Sequence, residues 1–274
     1  MKKGILGLFL VFMLTSFTNY RAKKVLKCDE QSGQMHVDGK TNDWKGSLAY
    51  DEKTGFYYNF SNDDSNLYVH LKMTNPMVQR KTIAMGFTLW IDPSGKGKEV
   101  LGIEYPKKRA PEDRKAEHHR QQAWRKGSAH ESNPLKMIQK FNLRYSGGLE
   151  EGDLVGFDKA GLDAAFIGKG GIQVMLQINK HSQLIYEAKI PLSMIFSHPQ
   201  DYLNASPKTF SLAFETGYLQ LEMSRMNRGG GGMRGGRMGG GMRQGLSSDR
   251  MAAMQFMTSP TKIKWKKVVL NSIK

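Results

Sequence analysis

Three side chains in this 274-residue chain combine ring surface with hydrogen-bonding capacity at strand spacing: Tyr68, His70 and Trp90. A Tyr or Trp ring lying flat on a sheet can stack on the apolar face of a pyranose, while an imidazole or the Lys72 ammonium donates to sugar hydroxyls. The segments that carry them must be strands. In Asn66–Thr74, Leu67, Val69, Leu71 and Met73 alternate with Tyr68, His70, Lys72 and Thr74; in Met85–Asp92, Phe87, Leu89 and Ile91 oppose Thr88 and Trp90. Period-two alternation of this kind marks strands with one dry and one wetter face. If residues 75–82 close the two as a hairpin, Tyr68 stands opposite Trp90 and His70 opposite Thr88. Opposed side chains in such a ladder lie about 4.5–5.5 Å apart, so the three would form one ligand-binding surface.

Other chemistry is sparse. Adjacent residues on a helix point about 100° apart, so His118 and His119 cannot chelate one ion together. Asp63 and Asp64 in the turn Ser61–Ser65, and Asp92 before Pro93, have oxygens suited to Ca²⁺, but turn chemistry selects the same residues. From these residues no cofactor is expected unless the carboxylates take Ca²⁺. There is no Gly-x-Ser-x-Gly elbow, no His-Glu-x-x-His, no phosphate loop and no plausible cysteine nucleophile, so no catalytic residue and no enzyme is expected. Trp44 and Trp265 read as packing residues, and Trp124 as the anchor of a charged helix.

The formal charge of +16 is concentrated. Pro106–Lys126 holds eight basic and three acidic residues, and Met223–Arg250 holds six Arg and one Asp. The first, with Glu112, Asp113 and Glu117 ahead of most of its bases, predicts a solvent-exposed helix within an insertion at 106–138. The second lies in a stretch, 223–257, with ten Gly and eight Met, and predicts a long disordered loop. Its Arg and Gly resemble RNA-binding tails, its methionines suit Cu(I), and a basic loop also suits an anionic surface. An exported protein argues against nucleic acid.

Export is expected from the N-terminus. Lys2 and Lys3 precede an unbroken apolar run from Gly4 to Leu14. Eleven helical residues span about 16 Å, too short for a hydrocarbon core of about 30 Å but suited to a signal peptide, placed at 1–22 with a linker at 23–34. The mature protein is then not transmembrane, and periplasmic, cell-surface or secreted in a bacterial envelope. Cys28 is the only cysteine, so no internal disulfide forms; it is a free thiol or a lipid-attachment site.

The body of the domain is 35–274. Strands are expected at Met35–Val37, Gly55–Phe60, Asn66–Thr74, Met85–Asp92, Glu99–Tyr105, Phe141–Tyr145, Asp153–Phe157, Gly171–Ile178, Leu184–Ile190, Thr209–Phe214 and Thr261–Leu270. In the last, Ile263 and Trp265 oppose Lys262, Lys264 and Lys266. Many strands without a βαβ rhythm predict an all-β fold, an antiparallel, jelly-roll-like β-sandwich.

Four segments in order carry a resemblance: Val37–Trp44 (Val-Asp-Gly-Lys-Thr-Asn-Asp-Trp), Ser61–Val69, Phe87–Pro93 and Tyr186–Ser193. Together they resemble family-nine carbohydrate-binding-module-like domains, within the wider DOMON-like group of secreted β-sandwiches. The resemblance implies a binding module without catalytic machinery, its sugar held by an aromatic clamp over the sheet. Carbohydrate or a cell-surface glycan is the first expected partner, at Tyr68, His70 and Trp90. Two alternatives stand beside it. One is an envelope structural or interaction protein that uses its basic insertions on a protein partner. The other, from the haem-binding branch of the DOMON-like group, implies ligation through His70 and Met73 or Met85.

Overall fold

The computed structural model describes residues 25–44, 46–107, 138–139, 141–143, 152–157, 171–219 and 248–272. The signal peptide expected at 1–22, residues 108–126 of the expected helix with His118, His119 and Trp124, and residues 220–247 of the Gly-rich stretch lie outside the described residues.

Among the described residues twelve strands follow in chain order: β1 (Leu26–Lys27), β2 (Asp29–Glu30), β3 (Ala49–Asp51), β4 (Phe56–Asn62), β5 (Asn66–Met73), β6 (Phe87–Asp92), β7 (Leu101–Glu104), β8 (Asp153–Val155), β9 (Gln173–Ile178), β10 (Leu184–Pro191), β11 (Phe210–Thr216) and β12 (Lys262–Val269). They form a β-sandwich of two sheets. The first sheet runs β1-β12-β11-β6-β7-β8; the second runs β2-β4-β5-β10-β9, with β3 also on β4. Pairing is antiparallel except at two short edges, where β1 lies parallel to β12 and β2 parallel to β4. The sheets are therefore mixed rather than purely antiparallel. Between β1 and β2 the chain steps from one sheet to the other at Cys28, whose buried thiol is pushed well above its ordinary pKa by desolvation.

Alternation sets which side chains meet in the middle. Leu67, Val69, Leu71 and Met73 of β5 are fully buried, as are Leu89 and Ile91 of β6. Aromatic rings join the layers: Phe87, stacked on Phe214 of its own sheet at 5.6 Å, meets Tyr186 of the other edge-on at 5.1 Å, and Trp265 meets Phe60 across the core at 5.0 Å. Such pairs favour edge-to-face and offset contacts because the ring quadrupole opposes a face-to-face sandwich.

The expected hairpin between β5 and β6 does not form. Residues Pro76–Met85 are a helix, α1, and it carries the chain from the second sheet to the first. Asn75 Oδ1 accepts from Met77 N at 2.8 Å and caps the helix, and Pro76 occupies its first turn, where a missing N–H costs nothing. Short helices α2 (Leu192–Ile195) and α3 (Gln200–Leu203) connect β10 to β11. Phe141–Leu143, expected as strand, is helical. No strand forms at Met35–Val37.

The last residues of the expected disordered loop are also ordered. Ser248–Thr258 is a helix, α4. Its C-terminal end sits on Lys81 of α1, a fully buried lysine whose Nζ donates to Phe256 O at 2.7 Å, to Ser259 O and to Thr261 Oγ1 at 3.0 Å. A cation at this end satisfies carbonyls that the helix leaves unpaired. Leu219 N donates to Met257 O at 2.8 Å, so the two flanks of the insertion meet. No described helix is long and apolar enough to cross a membrane.

Candidate functional site

Each sheet turns one face inward and one outward, and the three expected site residues divide between the two outward faces. Tyr68 and His70 belong to the second sheet: Tyr68 pairs with Ser61 and Lys189, and His70 with Asn59 and Glu187. Trp90 belongs to the first, paired with Ala213 and Gly102. Tyr68 and Trp90 therefore do not oppose one another, and the single three-residue surface does not exist. The physical reason is α1, whose length places β6 in the other layer.

The outer face of the second sheet is sealed around His70. Segment Met35–Trp44 crosses it and is clasped by Glu187, whose carboxylate accepts from Gly39 N at 2.8 Å and Trp44 Nε1 at 3.0 Å. Gly39 has φ +76°, and a Cβ there would lie 2.0 Å from Gln177 Oε1, so only glycine fits this crossing. The Trp44 ring lies 4.7 Å from that of His70. His70 is 1% exposed and neither ring nitrogen has a hydrogen-bond partner. Burial lowers its pKa to about 4, with Lys72 adding to the shift, so the imidazole is neutral near pH 7. Burial raises Glu187 to about 7, against the two N–H groups that favour its charged form. Tyr68 is buried as well, its hydroxyl donating to Asp63 Oδ2 at 2.5 Å.

Asp63 spends its carboxylate on its own turn, accepting from Ser65 N at 2.8 Å and Asn66 N at 2.6 Å. Asp92 does likewise, accepting from Ser94 N at 2.9 Å and Lys98 N at 2.8 Å. No three His, Cys, Asp or Glu side chains are grouped as a metal site among the described residues. His70 and Met73 emerge on opposite faces of β5, so the pair cannot ligate one iron in this fold. Met85 ends α1.

The outer face of the first sheet is different. One row across it reads Lys264, Ala213, Trp90, Gly102, Val155. The six-membered ring of Trp90 covers Gly102 so closely that a Cβ there would lie 2.6 Å from Cζ3 and 2.9 Å from Cε3. Small residues on both flanks thus seat the indole against the sheet, and it remains partly exposed. Its Nε1 donates to Glu215 Oε2 at 3.0 Å; Lys262 holds the same carboxylate at 2.8 Å and also pairs with Glu99. The loop after β6 is tied down by Lys264 Nζ donating to Gly97 O at 2.6 Å. Trp90, Gly97, Lys98, Ser211, Ala213 and Lys264 then line a shallow hollow. It is a surface, not an enclosed cavity. An aromatic platform edged by ammonium and carboxylate groups can bind a ring-shaped polar ligand; nothing converges there as a nucleophile–base pair does.

Glu187, Glu215 and Gly102 were not among the expected site residues. Gly102, set between apolar residues in a strand, is a sequence sign of close approach to its backbone. The carboxylates carry no such sign, because their partners lie far away in the chain. The chain matches no family model, no curated protein and no solved structure.

Proposed function

We propose that this protein is an exported, non-catalytic binding module for carbohydrate or a cell-surface glycan, with Trp90 as its platform. The observation that carries the reading is the indole seated on Gly102, partly exposed and beside Lys98 and Lys264. A pyranose stacks on such a ring through its axial C–H face, while Lys98 and Lys264 donate to its hydroxyls. Tyr68 and His70 act as structural residues beneath and beside the Met35–Trp44 segment. The likeness to family-nine modules supports the same class of ligand, on a different set of side chains from the one expected.

The test is affinity electrophoresis of the intact protein through gels that contain soluble plant and microbial polysaccharides. Retardation by at least one polysaccharide, lost in Trp90→Ala and kept in Tyr68→Phe, is the expected result. Free migration in every gel, or equal retardation of Trp90→Ala, sinks the reading.

A further inference from the structure

Charge is distributed unequally around Trp90, and that inequality specifies the ligand further. Lys262 is neutralised by Glu99 and Glu215. Lys98, Lys264 and Lys266 are exposed and have no ion-pair partner among the described residues. The Lys264 and Lys266 stems flank Gly97: a Cβ there would lie 3.4 Å from Lys264 Cδ and 3.5 Å from Lys266 Cγ. Glu99 and Glu215, the acids on this side, are held by Lys262, and Asp92 is buried with both oxygens engaged by Ser94 and Lys98 backbone and hydroxyl donors. On the opposite side of the indole the neighbouring row of the same face carries Thr88, Glu104 and Asp153, the last paired with Lys107. The platform therefore has a cationic end at β12 and an acidic end at β7 and β8.

Resting on the binding-module reading above, we propose that this face takes an acidic glycan, with one pyranose on Trp90 and its anionic substituent at Lys98, Lys264 and Lys266. Lysine ammonium groups are point charges without a fixed fork, so they bind a carboxylate or a sulfate through the same attraction. Exposed pairs of this kind are individually weak, and three acting on one substituent are what makes the preference measurable.

The experiment titrates the full-length protein, at one fixed ionic strength, with three oligosaccharides of equal length: oligogalacturonate, a sulfated galacto-oligosaccharide and a neutral galacto-oligosaccharide. At least one acidic ligand is expected to bind about tenfold more tightly than the neutral one. Lys264→Gln with Lys266→Gln should remove that advantage, while the neutral ligand, which loses only the hydroxyl contact at position 264, weakens by less than the acidic ones; the amide introduced at position 264 still has a donor for Gly97 O. Lys53→Gln with Lys180→Gln removes equal charge at turns elsewhere and should leave the advantage intact. A preference confined to the uronate or to the sulfate names the substituent. Equal affinity for all three ligands, or equal loss in both double variants, overturns the acidic preference while Trp90→Ala still weakens binding. Binding of none of them, or binding indifferent to Trp90→Ala, overturns the platform itself.

Discussion

The outer faces of the two sheets begin from the same pattern and end as opposites. Both β5 and β6 alternate, and both present an aromatic or heteroaromatic ring away from the core. Around His70 that ring is buried beneath Met35–Trp44; around Trp90, among the described residues, only a pinned loop crosses the sheet and the indole keeps contact with solvent. The difference is made by cover, not by the strands. A carboxylate on β10 clasps a remote segment through one backbone and one indole N–H, whereas the carboxylate on β11 is spent on Trp90 itself and on Lys262. Alternation decides which side of a sheet a residue occupies; distant chain decides whether that side is wet.

The sharpest way to break the contrast is to lift the cover. Gly39→Val meets both a left-handed backbone and the Gln177 side chain, and should cost about 3–5 kcal/mol in urea unfolding. Amide exchange across 35–44 should accelerate in the same variant. Unchanged stability and exchange would show that the clasp does not hold the segment.

On the open face, Gly102→Ala should unseat the Trp90 indole. The strained atom is the far end of a side chain that can swing outward, so the expected loss is smaller, about 1–2 kcal/mol. Its indole fluorescence should shift toward the red. Unchanged emission would mean that the ring is not held by the glycine.

The smallest effect is a pair of opposed pH dependences under the cover. Glu187 is raised from 4.5 to about 7, so its contribution to stability is full below pH 4.5 and is lost as pH rises through 7. His70 is lowered from 6.5 to about 4, so its contribution is full above pH 6.5 and is lost as pH falls through 4. Between pH 4.5 and 6.5 the two slopes offset one another. Glu187→Gln should therefore make the protein lose stability on acidification over that window, by more than the unsubstituted chain loses, in unfolding curves taken at stepped pH. Parallel pH profiles for the two proteins would remove Glu187 as the opposing group.

Much of the sandwich was legible in the chain. Inward and outward parity in β5, β6 and β10 follows from local alternation, because each residue's side is fixed by its neighbours two places away; in β12 it holds only from Lys262 to Lys266, beyond which a register shift turns Val268 inward. Pairing was less legible. Asn75-Pro76 is a helix-start signal, and the helix it opens is what separates Tyr68 from Trp90. Glu187 was hidden for another reason: it reads as an ordinary wet-face residue until Gly39, 148 positions earlier, donates to it. His70 is hidden in the same way, because Trp44, which covers it, comes from the same remote segment. Trp90 survives as a candidate because its seat, Gly102, and its flank, Ala213, lie in adjoining strands and need no remote segment.

The meeting of Leu219 and Met257 has a consequence for what the domain can tolerate. With Leu219 and Met257 held together, residues inserted ahead of α4 leave the closure distance unchanged, and each doubling of a flexible insert costs only about 0.6 kcal/mol. Lys81 forms the fixed socket beside that gate. A foreign sequence spliced between the two flanks should leave the melting transition nearly where it was.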